Sequence, residues 1–275
     1  MQELIERALA EDLGAGDLTA DAVVPADALA RARIDQKAEG AVAGLDVAAA
    51  VFRRLDPTLD WRARVSEGDW GPAGRLVAEV AGPAAAILAG ERVALNFLAR
   101  LSGIATLTAR FVGAVEGTGT VILDTRKTTP GLRTLEKRAV AVGGGRNHRA
   151  GLFDAVLVKE NHSALAGGVG AASRAAVAYA AQHGSPVVVV ECATLDEVDE
   201  ALAAGAPRVL LDNMSLEDLR EAVGRARGQG ETEASGGITL ETVRSIAETG
   251  VDYISVGAVT HSAPALDLSL SAVPL

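Results

Sequence analysis

The chain has 275 residues, of which 49% are hydrophobic and 23% charged, and its formal net charge is −10. This length suits one large domain or two smaller ones, and the acidic balance argues against a nucleic-acid partner, which would require a basic face. The longest apolar runs are far shorter than a membrane span, so we expect no membrane partner.

Cysteine usage and the first residues indicate a compartment. Cys192 is the single cysteine, so no intramolecular disulfide can form, and a reducing environment is expected. Residues 1–7 (MQELIER) lack the basic region and the apolar stretch of a signal peptide. We therefore predict a cytoplasmic protein.

The first hundred residues differ in pattern from the rest. They contain a short helix, strand-like pieces at 31–36 and 75–80, and a long helical pattern from Ala84 to about Leu101 that Ser102-Gly103 interrupts. We predict a separate α/β domain of residues 1–103, with the C-terminal segment 263–275 packed against it. Residues 104–262 then form the second domain.

The second domain alternates strand and helix signals. Apolar runs typical of buried parallel strands lie at residues 121–123, 155–158, 187–190, 208–211, 232–234 and 253–256. Helix starts are predicted at Thr194, Ser215 and Thr239, each followed by apolar residues at helical spacing. Six strands do not demonstrate an eight-fold barrel, and an open doubly wound sheet remains an alternative, although no crossover pattern favours it.

Polar or small residues follow each of these strands. In chain order they are Arg126 and Lys127, Lys159, Glu191, Asp212, Ser235-Gly236-Gly237, and Gly257. Because the carboxyl ends of parallel strands meet at one rim of a barrel, we expect these groups to form one site.

A basic stretch stands out in this acidic chain. Between Asp124 and Arg149 there are seven Lys or Arg residues and a single Glu. Such donors suit an anion with several carboxylates or phosphates. We assign Arg126, Lys127, His148 and Arg149 to this anion. The other basic residues of the stretch are interpreted as helix surface or secondary support: Arg133, Lys137, Arg138 and Arg146.

Three glycines, Gly143 to Gly145, precede His148 and Arg149. Consecutive glycines weaken helices and strands, so we interpret them as mobile backbone or as a close approach to a ligand. Lys159 is either a Schiff-base nucleophile or a fixed cation, and the cationic surroundings favour the second.

The carboxylates and small residues suggest a second ligand. Glu191 and Asp212 suit ribose hydroxyls or a hydrated Mg²⁺, and no His or Cys cluster has zinc-site spacing. Backbone N–H groups of Ser235-Gly236-Gly237 and of residues 256–258 suit a phosphate, since late strand ends of barrels often bind one. The residues therefore predict a multi-anionic small molecule bound beside a phosphorylated one.

These motifs also carry a family resemblance. Residues 124–133 (DTRKTTPGLR), 143–149 (GGGRNHR), 159–162 (KENH), 211–213 (LDN), 233–238 (EASGGI) and 255–262 (SVGAVTHS), with upstream 11–19, 40–45 and 91–97, resemble quinolinate phosphoribosyltransferases. The resemblance runs from about residue 8 to residue 262. It implies an N-terminal α/β sandwich followed by an incomplete, seven-stranded α/β barrel.

The resemblance also implies an activity and an assembly. Members of the family transfer phosphoribose from phosphoribosyl pyrophosphate to quinolinate with decarboxylation, in de novo NAD synthesis, and use magnesium. They form homodimers in which the N-terminal domain caps the partner's barrel. Assembly of such dimers into hexamers is left open.

Residue roles follow from the same resemblance. The quinolinate carboxylates would be bound by Arg92, Arg126, His148, Arg149 and Lys159, next to Thr125. Lys127 would lie between the substrates and act in catalysis with Glu191 and Asp212, which would hold ribose and, through water, Mg²⁺. The 5′-phosphate would be bound by Ser235, Gly236, Gly237, Val256, Gly257 and Ala258.

Two positions depart from the family pattern. Lys37 stands where an Arg commonly reaches across the dimer, and Val189 replaces the first acid of a Glu-Val-Glu strand. A lysine keeps the charge but loses the planar fork of arginine. These departures leave a related pyrophosphorylase, acting on nicotinate or associated with molybdenum, as an alternative. Two further alternatives are independent of them: a Schiff-base lyase using Lys159 and a non-catalytic nucleotide-sensing module.

Overall fold

The computed structural model describes residues 1–184 and 186–275, which divide into two units. One unit contains Met1–Ala109, Thr129–Gly144 and Ser262–Leu275, and the other contains Arg110–Thr128 and Gly145–His261. The C-terminal segment groups with the N-terminal residues. Residues 129–144 also group with them, whereas the sequence predicted this segment in the second domain.

The first unit combines helices with an antiparallel sheet. Its helices are α1 (Gln2–Leu13), α2 (Leu18–Val23), α3 (Leu45–Leu55), most of α4 (Ala84–Ala114) and α5 (Arg133–Val142). Its strands are β1 (Leu29–Gln36), β2 (Gly40–Ala41), β3 (Asp60–Ala63), β4 (Trp70–Gly71), β5 (Leu76–Pro83) and β12 (Leu268–Pro274). The main sheet has the order β12-β1-β5-β3, and β2 pairs with β4.

Helix α3 packs against this sheet through aromatic rings. Phe52 of α3 is fully buried and stacks on Trp61 of β3, with 5.6 Å between ring centroids. Alternate residues of β1, including Ala32 and Ile34, are buried as the period of a strand requires. The first unit is therefore a layer of helix against an antiparallel sheet.

Helix α4 does not break at Ser102-Gly103, so the interruption predicted there is wrong. Ser102 is buried and donates its hydroxyl to the Ala43 carbonyl. A Cβ on Gly103 would lie 2.0 Å from the Pro264 carbonyl oxygen. The two small residues serve close packing within the first unit and leave the helix intact.

A buried acid explains why residues 129–144 belong to the first unit. Glu136 of α5 is fully buried and accepts hydrogen bonds from the Arg100 guanidinium at 3.1 and 2.8 Å. It also accepts the Thr129 N–H and hydroxyl at 3.0 and 2.7 Å. This charged, hydrogen-bonded contact ties α5 to α4, and sequence periodicity contains no sign of it.

The second unit contains a six-stranded parallel sheet. Its strands are β6 (Val121–Leu123), β7 (Val156–Val158), β8 (Val188–Cys192), β9 (Arg208–Asp212), β10 (Glu231–Ser235) and β11 (Tyr253–Ser255). They pair in the order β6-β11-β10-β9-β8-β7. All six predicted strands are confirmed, and five of them are mostly apolar, as expected of strands covered on both faces. The exception is β10 (ETEAS), in which Thr232 and Glu233 are buried.

A seventh parallel segment, one residue long, extends the sheet beyond β6. Arg146 forms a one-residue parallel bridge with Leu123, with its N–H donating to the Ile122 carbonyl at 2.8 Å. The Asp124 N–H in turn donates to the Arg146 carbonyl. The seven-stranded, incomplete barrel thus appears as six strands and this bridge.

Helices cover the parallel sheet. They are α6 (Glu160–Ala166), α7 (Val169–Gln182), α8 (Leu195–Ala203), α9 (Leu216–Ala226), α10 (Val243–Ala247) and α11 (Ala258–His261). Thr194 and Ser215 cap α8 and α9 as predicted. α10 begins four residues after Thr239, at Val243. No helix among the described residues has the length and apolar character to cross a membrane.

Candidate active site

A cavity of about 630 Å³ opens at the carboxyl ends of the parallel strands, entirely within the second unit. Its walls include eleven residues that the sequence singled out: Thr125, Arg126, Lys127, His148, Arg149, Lys159, Glu191, Asp212, Ser235, Gly236 and Gly237. Five further residues line it: Leu157, Leu210, Asn213, Glu233 and Ser255. Of the groups predicted to meet at the strand ends, all except Gly257 line this one cavity.

One wall, called the cationic side below, gathers the basic groups. It consists of Arg126, Lys127, His148, Arg149 and Lys159. Arg126 and Lys127 follow β6, and His148 and Arg149 follow the bridge at Arg146.

Asp124 positions part of the cationic side. This carboxylate is fully buried and accepts the backbone N–H of His148 at 2.8 Å. His148 Nδ1 in turn accepts the N–H of Arg149 at 2.7 Å. The acid at the end of β6 thereby holds the loop that carries two of the cations.

The cations of this wall repel one another. Burial lowers the pKa of the Arg149 guanidinium, and the nearby positive charge of Arg126 lowers it further. An anion bound between the two arginines would relieve this repulsion. The electrostatics therefore favour a negatively charged ligand at the cationic side.

Two of the three glycines before His148 have a structural use. A Cβ on Gly143 would lie 2.4 Å from the Ala105 carbonyl oxygen, so this glycine permits close packing on α4. Gly144 has a φ of +87°, a conformation that side chains disfavour. None of the three is among the described residues that line the cavity, so the predicted approach to a ligand is not supported.

Lys159 lies in contact with the carboxylate of Glu191. Its Nζ lies 3.1 Å from Glu191 Oε2, and Glu191 Oε1 accepts the Glu160 N–H at 3.4 Å. A Schiff-base nucleophile must be a neutral amine, which this carboxylate opposes. The geometry agrees with the fixed cation and gives Glu191 two donors from the start of α6.

A second group of lining residues, called the carboxylate side below, consists of Glu191, Asp212, Ser235, Gly236 and Gly237, and it meets the cationic side at the Lys159–Glu191 ion pair. These residues end the adjacent strands β8, β9 and β10 or directly follow them. Gly236 and Gly237 have φ values of +98° and +58°. A side chain would be strained at either position, which keeps the backbone of this loop bare.

The carboxylate side carries oxygen donors of the kind that a magnesium ion requires. Among the described residues, no group of three or more His, Cys, Asp or Glu side chains could hold a metal by itself. Glu191 and Asp212 nevertheless supply hard oxygen donors from neighbouring strands. Two carboxylates fit Mg²⁺, which usually takes its other ligands from water and substrate phosphates.

Glu233 is a site residue that the sequence did not single out. Its side chain is fully buried, with one oxygen 3.5 Å from His148 Nε2 and the other 3.4 Å from Arg208 Nη1. It precedes Ser235 by two positions on β10, so both side chains lie on the same face of the strand. The two-residue spacing between Glu233 and the predicted strand end at Ser235 is the sequence signal that could have identified Glu233.

The remaining predicted residues lie elsewhere in the chain. Arg92 and Lys37 belong to the first unit, where Arg92 is exposed and lies 3.6 Å from Glu91. Residues 256–258 are not among the described lining residues. A Cβ on Gly257 would lie 3.2 Å from Lys127 Cδ, so this glycine makes room for the lysine side chain. The roles predicted for these residues remain predictions.

Two family models match the chain. The model described as the N-terminal domain of quinolinate phosphoribosyl transferase matches residues 17–102, and that of its C-terminal domain matches residues 104–271. Together the two matched segments take in nearly the whole chain.

Curated relatives carry related names. The chain is 44% identical over 287 residues to quinolinate phosphoribosyltransferase (decarboxylating) 2, mitochondrial, of Nicotiana glauca, covering 98% of this chain and 81% of the relative. It is 42% identical over 270 residues to the probable nicotinate-nucleotide pyrophosphorylase (carboxylating) of Bacillus subtilis, covering 98% and 92%.

Solved structures agree with the sequence matches. NadC from Streptococcus pyogenes has a TM-score of 0.95 at 40% identity, covering 99% of this chain and 96% of that one. The nicotinate-nucleotide pyrophosphorylase from Francisella tularensis has a TM-score of 0.92 at 41% identity, covering 99% and 95%. On the family models, the relatives and the shared fold, this chain belongs to the quinolinate phosphoribosyltransferase family.

Proposed function

We propose that this protein transfers the phosphoribosyl group of phosphoribosyl pyrophosphate to quinolinate and releases CO₂ and pyrophosphate, with nicotinate mononucleotide as the product. The observation that carries the proposal is one cavity with a cationic side and a carboxylate side. A pyridine dicarboxylate suits the first wall and a phosphoribosyl group suits the second. Membership of the family supports the same assignment.

Quinolinate would bind at the cationic side. Its two adjacent carboxylates can accept from the planar forks of Arg126 and Arg149 and from the Lys159 ammonium. The charge of the substrate would remove the repulsion that lowers the pKa of Arg149. His148, held between Asp124 and Glu233, would complete the wall.

Phosphoribosyl pyrophosphate would bind at the carboxylate side. Glu191 and Asp212 can accept from ribose hydroxyls, and the bare backbone of Ser235-Gly236-Gly237 can donate N–H groups to the 5′-phosphate. When bound, Mg²⁺ would be held by Glu191 and Asp212 and would neutralise charge on the pyrophosphate. Lys127, which also lines the cavity, would lie between the two substrates.

The reaction needs placement and charge more than a strong base. The pyridine nitrogen forms a bond to the ribose carbon as that carbon releases pyrophosphate, and the ring nitrogen becomes positive. The adjacent carboxylate then leaves as CO₂, its electron pair stays on the ring carbon beside the positive nitrogen, and that carbon takes a proton from water. Fixed cations around a positioned substrate favour both steps.

The proposal extends to a cytoplasmic homodimer. In it, Arg92 would bind a quinolinate carboxylate, and Lys37 would be supplied to the site of the other subunit. Both side chains are exposed in the single chain. Residues 256–258 would add backbone contacts to the 5′-phosphate. Analytical ultracentrifugation separates a dimer from a trimer of dimers.

A product assay tests the proposed activity. The purified protein is incubated with quinolinate, phosphoribosyl pyrophosphate and Mg²⁺, and nicotinate mononucleotide is quantified by liquid chromatography. We expect product that requires all three additions. Absence of product, with phosphoribosyl pyrophosphate still bound in calorimetry, would instead indicate a nucleotide-sensing module. A borohydride-trapped adduct on Lys159 would indicate a Schiff-base lyase.

A further inference from the structure

Asn213 lies where β9 ends, between the two parts of the carboxylate side. Its side-chain Nδ2 donates to Asp212 Oδ2 at 2.8 Å, and its backbone N–H donates to the Ser235 carbonyl at 2.9 Å. Asn213 also lines the cavity. One residue thereby contacts both the carboxylate proposed to hold ribose and the loop proposed to hold the phosphate.

The backbone of Asn213 is unusual. Its φ of 55° is the one positive value for a non-glycine residue in the described part of the chain. Asparagine tolerates this conformation better than most residues, and glycine tolerates it best. A turn alone would therefore be served by glycine, which could not make the contact with Asp212.

The Asn213 side chain also fits against Gly236. A Cβ on Gly236 would lie 2.2 Å from Asn213 Oδ1 and 2.8 Å from Nδ2. Any side chain at Gly236 would displace the amide from its place next to Asp212. The Asn213 amide can therefore occupy this place only because Gly236 has no side chain.

We propose that Asn213 is a positioning residue for phosphoribosyl pyrophosphate: its amide fixes the orientation of the Asp212 carboxylate relative to the Ser235-Gly236-Gly237 loop. The inference rests on the proposed function, because it assigns the ribose and the 5′-phosphate to these two groups. Asn213 belongs to the family motif at residues 211–213, but no role in the site was predicted for it from the sequence.

The variant Asn213→Gly separates positioning from the demands of the turn. Glycine keeps the positive φ and removes only the amide. We expect the melting temperature to stay close to that of the wild type, because glycine adopts the positive φ without strain. The KM for phosphoribosyl pyrophosphate should rise about tenfold, as expected for the loss of a hydrogen bond to a charged group. The KM for quinolinate should change by less than about twofold.

Three further variants make the test sharper. Asn213→Asp keeps the shape but sets a carboxylate beside Asp212, so it should raise the same KM more than glycine does. Asn213→Ala should lose stability as well as affinity for phosphoribosyl pyrophosphate, because alanine fits the positive φ poorly.

Gly236→Ala should also lower the affinity for phosphoribosyl pyrophosphate. Combining it with Asn213→Gly should lower that affinity by less than the sum of the two single losses.

The outcomes are distinct. A wild-type protein without product would overturn the proposed function and this inference with it. An active wild type with an Asn213→Gly variant of unchanged KM for phosphoribosyl pyrophosphate would overturn only this inference and leave Asn213 as a turn residue. An equal rise of both KM values would also overturn it.

Discussion

The two sides of the cavity are built differently. The carboxylate side comes directly from the ends of three adjacent strands, β8, β9 and β10. Most of the cationic side lies on loops, after β6 and after the one-residue bridge at Arg146. Strand ends are placed by the sheet itself, whereas loop residues need additional contacts such as the one from Asp124. The walls should therefore respond differently to substitution.

The largest effect is expected for Arg149→Ala on the cationic side. Removing a partner of a substrate carboxylate should lower kcat/KM for quinolinate roughly 1000-fold. The KM for phosphoribosyl pyrophosphate should change little. Arg146→Ala is the matched control, since its exposed side chain does not line the cavity. Equal losses of kcat/KM in the two variants would show that the net charge of the protein, and not the position of Arg149 in the cationic side, governs quinolinate binding.

The next effect concerns Glu233, which lines the cavity. It is fully buried beside His148 and Arg208, so Glu233→Ala should lower the free energy of unfolding by about 3 kcal/mol. Glu231 is an exposed partner of the same Arg208, and Glu231→Ala should cost under about 1 kcal/mol. Urea unfolding of both variants measures the difference, and comparable losses would contradict this account.

On the carboxylate side, Asp212→Asn should raise the KM for phosphoribosyl pyrophosphate roughly 30-fold, since a charged acceptor is lost. The concentration of Mg²⁺ needed for half-maximal rate should rise with it. Glu217→Gln, an exposed change at the start of α9, is the control. A quinolinate KM that rises equally would contradict the division of the cavity into two sides.

The smallest effect concerns the reactivity of the Cys192 thiol, one residue beyond Glu191 in β8. Burial, with added repulsion from Glu197, Glu191 and Glu200, raises the pKa of the Cys192 thiol to about 12. At about pH 8 it should stay protonated and unreactive towards a disulfide reagent such as dithionitrobenzoate. The same protein unfolded in guanidinium chloride should react fully. Rapid labelling of the folded enzyme with loss of activity would contradict the burial of this face of β8.

Much of this contrast could be predicted from the sequence. Most of the six parallel strands are apolar runs, and the polar or small residues after them identify the rim where the site lies. Eleven predicted site residues accordingly line one cavity. Here local pattern and tertiary structure agree, because the sheet alone positions the strand ends.

Other features depend on contacts that no local pattern reveals. Glu136 draws residues 129–144 into the first unit through Arg100, and Gly103 is explained only by its approach to Pro264. Glu233 lies inside β10 and not at its end, so no strand-end pattern identifies it. Asn213 is recognisable only from its positive φ and its contact with Asp212. These are tertiary effects, in which a residue is chosen by a neighbour distant in the chain.

The central claim is that the cationic side recognises two carboxylates. Its most direct test is a competition between quinolinate and nicotinate for phosphoribosyl pyrophosphate and Mg²⁺, with released CO₂ and pyrophosphate both measured. We predict a kcat/KM for quinolinate at least about 1000-fold above that for nicotinate, by the cost of leaving buried polar groups unpaired. CO₂ and pyrophosphate should appear in equal amounts. Comparable use of nicotinate, or pyrophosphate release without CO₂, would contradict the account.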